Sequence, residues 1–557
     1  MSYLIFQHCK NKLLIFILLI FSVLSELVGI SLVYPFIIIF FELEMENIAI
    51  FNFVFKYLDN FNISLTNSNL LGLILIFFIF NAFFLLIYRY FITINGLNFM
   101  SYIRKKIYFK TFESKYKNSS ENISRIYNSI TLQSMESGNA MMLQFQIFES
   151  ILSLMVLLFL SILISIKITI LSFLIGIAFF LSLSFTISIS KKYGEERFQF
   201  NENLYKNLNI AFQNIRYLKA INGFNNFFLK VKPTLNNIVR TNLKFTMLSK
   251  GTKILNEPLV LICLSLILYI SIKYFDSDTG VIIVILAILR RLYAKVVSTI
   301  TSLQQYNLAV VSFKYCMDLI NEFTNSKEIN SKIVFKNFEN NLSIKNLSYN
   351  NSQTLLYEKT SIKIEKNKTT LILGKSGTGK STFLNIVLGL IEINKGQVYY
   401  DDIDISLYDK NTIRDSIGFV NQEPVIFNLS IRENLKIRNR SISDLTINNF
   451  LIDFSLTTIF ADKKINLDYM IDEKSSNLSG GEKQRIAIIR EIIHKPKILI
   501  LDEPTSSLDY DNKKIIVDYL KKIKNNTTII IVSHEDEYID IADNIYELKD
   551  RKFIKNK

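Results

Sequence analysis

Residues 374–382 read GKSGTGKST and fit the spacing G-x-x-x-x-G-K-[ST], with an apolar run before them and another after them. Glycines in such a loop let backbone N–H groups point inward at a helix N-terminus, where phosphate oxygens bind. Lys380 is placed to reach the β- and γ-phosphates, and the Ser381 hydroxyl to ligate Mg²⁺. The predicted phosphate-binding residues are Gly374, Lys375, Ser376, Gly377, Thr378, Gly379, Lys380, Ser381 and Thr382.

Two adjacent carboxylates end a second apolar run, KILILDEPTSSLD at residues 497–509. Asp502 is predicted to hold the Mg²⁺ shell, and Glu503 to polarise a water that attacks the γ-phosphate as the general base. An acidic pair after a strand also occurs simply as charge at a helix N-terminus. The phosphate loop in the same domain favours the catalytic interpretation.

A second predicted anion site lies in NLSGGEKQR, residues 477–485, where Ser479, Gly480 and Gly481 offer a hydroxyl and backbone N–H groups at a helix start. One domain with two such sites suggests a nucleotide shared between two domains. At this point the sequence resembles the ATP-binding cassette (ABC) family, in which the phosphate loop of one subunit and the LSGGQ signature of the other enclose ATP. Glu482 stands where the family has glutamine, and the resemblance implies that ATP closure survives this change.

The resemblance implies further site residues, each at its expected place along the chain. Tyr349 would stack on adenine, Gln422 would touch Mg²⁺ and face the membrane domain, and His534 would contact the γ-phosphate as a catalytic residue beside Glu503. Asp509, with Ser507 and Leu508, resembles the D-loop, and Glu473 the acidic position of the X-loop of exporters. The implied magnesium ligands are Ser381, Gln422 and Asp502, and the cofactors are ATP and Mg²⁺.

The elements that must position these residues fall into two domains. From about residue 340 short β-rich runs alternate with helical runs, which is typical of a parallel nucleotide-binding sheet. We expect an α-helical six-span transmembrane domain with long cytoplasmic helix extensions at 1–322, a linker at 323–339, and an α/β P-loop domain at 340–557.

Six apolar stretches in the first domain are long enough to cross a hydrocarbon core of about 30 Å. They lie near 12–41, 70–95, 142–166, 168–190, 254–275 and 279–305, with a short hinge at Lys167 between the third and the fourth. Segment 42–69 is acidic, whereas 101–125 and 191–253 are basic. The excess of basic residues marks the cytoplasmic side. The N-terminus and the nucleotide-binding domain are therefore predicted to lie in the cytoplasm, and the protein in a bacterial inner membrane.

Composition agrees with a membrane protein, since half of the 557 residues are hydrophobic and mean hydropathy is +0.26. The net charge of +15 includes many lysines, which accompany an excess of isoleucine and asparagine typical of a coding bias. No basic block stands apart from the membrane loops, so we expect no nucleic-acid partner. The three cysteines are too widely spaced to indicate a disulfide framework or a zinc site.

Three cations interrupt the sixth apolar stretch, namely Arg290, Arg291 and Lys295. Charge at membrane depth is costly and marks either pairing or function. The cations could pair with membrane carboxylates such as Glu26, line a water-filled cavity for an anionic substrate, or reach lipid headgroups. Residues 26–36 and 289–306 loosely resemble the first and sixth spans of bacterial lipid-linked oligosaccharide flippases.

Six spans before one cassette resemble the half-transporter of ABC exporters, which implies a dimer, expected here to be a homodimer, that works by alternating access. Segments near 119–138 and 205–222 would couple the two domains. The expected substrate is an anionic amphiphile such as a polyprenyl-diphosphate-linked oligosaccharide, and membrane lipids are expected partners. The alternatives are a peptide or bacteriocin exporter, a lipid or drug exporter, and an ATP-gated channel. About 11 residues precede the first span, so no N-terminal peptidase domain is expected.

Overall fold

The computed structural model describes residues 8–41, 66–274, 279–351, 354–471, 478–505, 508–534 and 536–557. The chain divides into two compact units. A helical unit contains Met1–Ser114 and Asn118–Lys327, and a mixed α/β unit contains Lys115–Lys117 and Glu328–Lys557. The acidic segment predicted to lie outside the membrane falls mostly at 42–65, outside the described residues.

The described residues up to Asn325 form long helices joined by short ones. Their bounds are α1 Lys12–Ser31, α2 Val33–Phe41, α3 Asn67–Glu113, α4 Tyr116–Glu121, α5 Ile123–Asn128, a π-helical turn Ser129–Gln133, α6 Ser134–Ile164, α7 Ile166–Gln213, α8 Ile215–Ala220, α9 Phe224–Tyr274 and α10 Thr279–Asn325. The predicted hinge at Lys167 is wrong by two residues. The break is at Ser165, whose extended backbone separates α6 from α7, whereas Lys167 lies within α7.

Several of these helices exceed the thickness of a bilayer. The 47 residues of α3 extend about 70 Å at 1.5 Å per residue, more than twice the hydrocarbon thickness. Among the described residues, four helical stretches are long and apolar enough to cross a membrane: Lys12–Phe41, Asn67–Glu113, Ile123–Ile164 and Phe224–Tyr274. In α7 the described apolar stretch is the shorter Ile166–Ile177. Helix α10 is continuous, but its apolar sequence contains the three cations, and it is not among these four stretches. A topology of six spans therefore stays a prediction.

The long helices pack closely where small residues face each other. A Cβ added to Gly138 of α6 would lie 2.7 Å from the carbonyl oxygen of Gly96 in α3, so only glycine allows this approach. Nearby, the Tyr88 hydroxyl donates a hydrogen bond of 3.0 Å to the Phe145 carbonyl oxygen. These contacts join α3 and α6 side by side.

The α/β unit contains two sheets. Its strands are β1 Asn341–Asn351, β2 Thr354–Glu365, β3 Thr369–Leu373, β4 Val398–Tyr400, β5 Ile403–Asp404, β6 Ile417–Val420, β7 Ile498–Asp502, β8 Thr528–Ser533, β9 Asn544–Lys549 and β10 Lys552–Lys555. The larger sheet has the order β10-β9-β3-β8-β7-β6 and is parallel except for β10. The smaller, antiparallel sheet has the order β2-β1-β4-β5.

Seven α-helices accompany the strands in the described part of the α/β unit. They are α11 Lys380–Val387, α12 Lys410–Ser416, α13 Ile431–Leu435, α14 Asp444–Asp453, α15 Thr457–Asp462, α16 Gly480–Ile492 and α17 Tyr510–Ile523. Strands β7 and β8 are buried along their whole length, which explains their continuous apolar runs. Because the central strands are parallel, the loops that follow β3 and β7 emerge at one edge of the sheet.

Candidate nucleotide-binding site

The predicted phosphate loop joins the end of β3 at Leu373 to the start of α11 at Lys380. Gly379 immediately precedes the helix with φ of 109°, a conformation that side chains other than glycine rarely adopt. The loop therefore turns sharply and presents the unpaired N–H groups of the first turn of α11, which suit phosphate oxygens.

Lys380 is held at the base of this loop. Its ammonium Nζ donates to the carbonyl oxygens of Gly374, at 2.6 Å, and of Lys375, at 3.2 Å. The side chain is only 7% exposed. The loop thus places a buried positive charge beside its own N–H groups, where a triphosphate would need it.

Tyr357 of β2 supports the loop from beneath, and the sequence motifs did not indicate it. Its hydroxyl donates to the carbonyl oxygen of Gly379 at 2.5 Å, and a Cβ at Gly379 would lie 3.1 Å from that hydroxyl. Tyr357 is fully buried and stacks on Phe553, with ring centroids 6.1 Å apart. Burial raises the pKa of its hydroxyl above the usual range, so it stays a neutral donor. Tyr357 lies 22 residues before Gly379 and belongs to none of the sequence motifs, so its role could not be predicted from the sequence.

Asp502 and Ser381 form the part of the site that suits a divalent cation. The Ser381 hydroxyl donates to Asp502 Oδ2 at 3.3 Å, which brings two hard oxygen ligands together. Burial raises the pKa of Asp502, and the neighbouring charge of Glu503 adds to this effect. A partly desolvated carboxylate beside a hydroxyl fits Mg²⁺, whose charge would offset the cost of burying the anion.

Glu503 is contacted by three predicted site residues. The side-chain amide of Gln422 donates to its Oε2 at 2.8 Å, His534 Nδ1 lies 3.3 Å from its Oε1, and Lys380 Nζ lies 3.8 Å from the same oxygen. Its backbone has a φ of 47°, in the left-handed region. Its N–H is bonded to the carbonyl oxygen of Val532 in the neighbouring strand β8, which holds this conformation.

These residues surround one cavity of about 770 Å³. It is lined by Leu356, Lys375, Ser376, Gly377, Gly379, Lys380, Ser381, Thr382, Gln422, Asp502, Glu503 and His534. Gly374 and Thr378 belong to the same loop, where the Thr378 hydroxyl donates to the Lys375 carbonyl oxygen at 2.9 Å. Tyr349 and Leu356 both pack partly buried against one hydrophobic core, and Leu356 also lines the cavity.

The signature residues lie at the start of α16, away from this cavity's lining. Ser479 is the N-cap: its side chain accepts the N–H of Glu482, while the Glu482 carboxylate accepts the N–H of Ser479. Ser479 and Gly480 are exposed, and a Cβ at Gly480 would meet nothing within 4 Å in the described chain. Asp509 caps α17 by accepting the N–H of Asn512 at 3.1 Å. Glu473 and Ser507 lie outside the described residues.

The cations of α10 are divided between two environments. Arg291 Nε lies 2.7 Å from Glu26 Oε1 of α1, and Ser153 of α6 donates to Glu26 Oε2 at 3.3 Å. Arg290 faces a different cavity of about 720 Å³ between α9 and α10, with Lys253. Lys295, one turn beyond Arg291, is partly buried. Of the alternatives that the sequence left open, pairing with Glu26 is present for Arg291, and Arg290 lines a cavity.

Comparison with known proteins agrees with this geometry. Residues 357–506 match the family model described as ABC transporter. The chain is 27% identical over 345 residues to the alpha-hemolysin translocation ATP-binding protein HlyB of Escherichia coli, covering 58% of this chain and 48% of that protein. It is 28% identical over 308 residues to the leukotoxin translocation ATP-binding protein LktB of a Pasteurella haemolytica-like species, covering 55% and 43%.

A human relative, ATP-binding cassette sub-family B member 5, is 32% identical over 218 residues, which cover 39% of this chain and 17% of that protein. The chain thus spans less than half the length of the curated relatives named here. The matched residues include the phosphate loop, the signature serine and the Asp502–Glu503 pair. Residues 357–506 thus form an ABC transporter domain, and the chain, with its apolar helical unit before this cassette, is similar to exporter-type ABC transporters.

Proposed function

We propose that two copies of this chain form an ATP-driven exporter that works by alternating access. The observation that carries the proposal is the placement of Glu503 against Gln422 and His534, beside the Ser381–Asp502 pair and the phosphate loop. This arrangement has a phosphate cradle, ligands for Mg²⁺ and a base in one cavity, which are the parts that ATP hydrolysis needs.

In the proposed reaction the first turn of α11 and Lys380 hold the β- and γ-phosphates. Glu503 orients a water and accepts its proton as the oxygen attacks the γ-phosphorus, with ADP as the leaving group. His534 lies on the same side of Glu503 as Lys380, since both approach Oε1, and it would contact the γ-phosphate. Mg²⁺ held by Ser381, Asp502 and Gln422 would neutralise charge on the phosphates.

The exposed signature supports a dimer. Ser479 uses its oxygen to cap α16, and its hydroxyl hydrogen could still be donated to an incoming phosphate, since none of the described residues is shown to accept it. Among the described residues, packing does not require glycine at position 480, because a Cβ there would meet nothing within 4 Å. A glycine at an open helix start suits the close approach of an outside group, such as the nucleotide bound to a second copy.

ATP turnover tests this proposal directly. Full-length protein in nanodiscs should hydrolyse ATP in the presence of Mg²⁺, and ATP should increase chemical crosslinking between copies when Glu503→Gln blocks hydrolysis. Proteoliposomes then separate a pump from an ATP-gated channel, because a pump accumulates substrate against a gradient. Flux that only follows the gradient would contradict the exporter.

For the substrate we propose an anionic amphiphile, with a polyprenyl-diphosphate-linked oligosaccharide as the specific candidate. The cavity between α9 and α10 is lined by the charged residues Arg290, Lys253 and Glu257. The apolar side chains of Val260, Leu261 and Leu264 also line it. Two cations against one carboxylate favour a phosphate group, and the apolar wall favours a lipid chain. Arg291 contributes less here, because Glu26 already neutralises it.

A second candidate is a peptide or protein toxin, because HlyB and LktB are named for toxin translocation. Stimulation of ATP hydrolysis separates the two candidates. A polyprenyl-diphosphate lipid should stimulate the wild type and lose this effect in Arg290→Ala, whereas basal hydrolysis should persist. Stimulation by unfolded peptide alone would reject the lipid candidate.

A further inference from the structure

The start of α16 carries an unusual buried acid. Glu482, the third residue of the signature helix, is 5% exposed. Its Oε2 accepts the N–H of Ser479 at 2.9 Å, which completes a capping box with the serine hydroxyl. Both carboxylate oxygens also lie 2.8 Å from Nζ of Lys463, the residue that follows α15.

The charge of Glu482 raises a physical problem for the proposed dimer. A carboxylate in the first turn of a helix is favourable for the helix itself, because the N-terminal N–H groups carry partial positive charge. The same carboxylate weakens the attraction of that helix end for phosphate. A glutamine could make the same cap without a charge. A buried acid at an anion-binding helix end therefore needs a counter-charge.

We propose that Lys463 and Glu482 act together as positioning residues, with Lys463 cancelling the charge of Glu482 so that the start of α16 can accept the phosphates of ATP bound to a second copy. The contact is symmetric, with each carboxylate oxygen at 2.8 Å, and the ammonium side chain is 31% exposed. Arg485, one turn along α16, is buried and also attracts Glu482 electrostatically, but its described hydrogen bond goes to the Phe454 carbonyl oxygen at 3.0 Å. The direct ion pair with Glu482 is therefore the one made by Lys463.

This inference rests on the proposed function, because the phosphates belong to a dimer that hydrolyses ATP. The first experiment measures KM for ATP in full-length protein in nanodiscs. Lys463→Gln should raise KM about tenfold, since it leaves a buried carboxylate without its partner. Lys463→Arg should keep KM near the wild-type value, and Lys464→Gln, at the exposed neighbouring position, is the matched control.

The double variant Lys463→Gln/Glu482→Gln decides the mechanism. Charge cancellation predicts that KM returns toward the wild-type value, because the uncompensated carboxylate is gone while the cap is kept. A KM as high as in Lys463→Gln alone would overturn the inference, because the loss would then come from missing contacts of Lys463.

A second measurement tests the pair without hydrolysis. In thermal unfolding, Lys463→Gln should lower Tm more in the wild-type background than in Glu482→Gln. Equal losses in both backgrounds would show that the pair is not coupled and would also overturn the inference. A wild-type protein that binds ATP but never hydrolyses it would instead contradict the proposed function, while the unfolding comparison would still report on the pair.

Discussion

Arg291 of α10 and Glu26 of α1 form an ion pair, with Nε and Oε1 2.7 Å apart. The arginine side chain is 37% exposed and the carboxylate 8%. A buried acid thus holds a half-exposed cation, and the pair ties the first apolar helix to the last one of the helical unit. The pair also neutralises the charge of Arg291, which lies within an apolar stretch of the sequence.

Removing one member of this pair should destabilise the helical unit. Arg291→Ala leaves Glu26 buried without its counter-charge and should cost on the order of 2 kcal/mol. Thermal unfolding of the purified protein in nanodiscs measures the loss as a lower Tm. Arg291→Ala/Glu26→Gln should recover much of it, and Arg290→Ala is the matched control. Equal Tm values for Arg291→Ala and Arg290→Ala would contradict the structural role of the pair.

Glu503→Gln should separate ATP binding from hydrolysis. The change removes the proton acceptor while keeping the size of the side chain, so phosphate release should fall by about 10²–10⁴-fold. Binding of a fluorescent ATP analogue should persist. Lys380→Ala provides the contrast, because it removes the buried charge of the phosphate loop and should abolish binding itself. Hydrolysis by Glu503→Gln at the wild-type rate would reject Glu503 as the base.

Tyr357→Phe should loosen the phosphate loop. The variant keeps the ring that stacks on Phe553 and loses only the hydroxyl that donates to Gly379. We expect a cost of about 1–2 kcal/mol and a several-fold loss of ATP affinity. Isothermal titration with ATP checks the affinity, with Tyr399→Phe as a control at a partly exposed tyrosine. Unchanged affinity would show that the loop holds its shape without this bond.

Asp502→Asn should stabilise the cassette while abolishing Mg²⁺-dependent hydrolysis. Burial raises the native pKa of Asp502, so between the unfolded and native pKa values the folded state binds more protons than the unfolded state. Stability therefore falls as pH rises through the native pKa, and the cost is fully present above it. The gain in Tm of the variant should grow over the same rise in pH. A gain that does not change with pH would contradict this assignment.

Much of the nucleotide site was predictable from sequence, because its parts are local. Residues 374–382 follow a strand and start a helix, and parallel strands bring the loops after β3 and β7 to one edge. Tyr357 could not be predicted from local motifs, because its contact with Gly379 depends on the position of strand β2 in the folded structure. The stacking of Tyr349 on adenine stays a prediction, since Tyr349 and Leu356 both pack partly buried against the same core and Leu356 lines the cavity.

The helical unit was less predictable. Hydropathy does not give the bounds of the helices, since α3 and α9 extend well beyond the predicted stretches 70–95 and 254–275. The break between α6 and α7 lies at Ser165 and not at Lys167. Arg290 and Arg291 are adjacent, and consecutive residues on a helix point about 100° apart. Only the neighbouring helices decide which of them meets Glu26 and which faces a cavity.

The left-handed backbone of Glu503 has a consequence for protein engineering. A residue other than glycine in this conformation costs about 1–2 kcal/mol, so Glu503→Gly should relieve strain as it destroys the base. A library selected for thermostability alone should enrich glycine or asparagine at this position and yield robust, inactive protein. Retention of glutamate through such a screen would therefore require that turnover be selected at the same time.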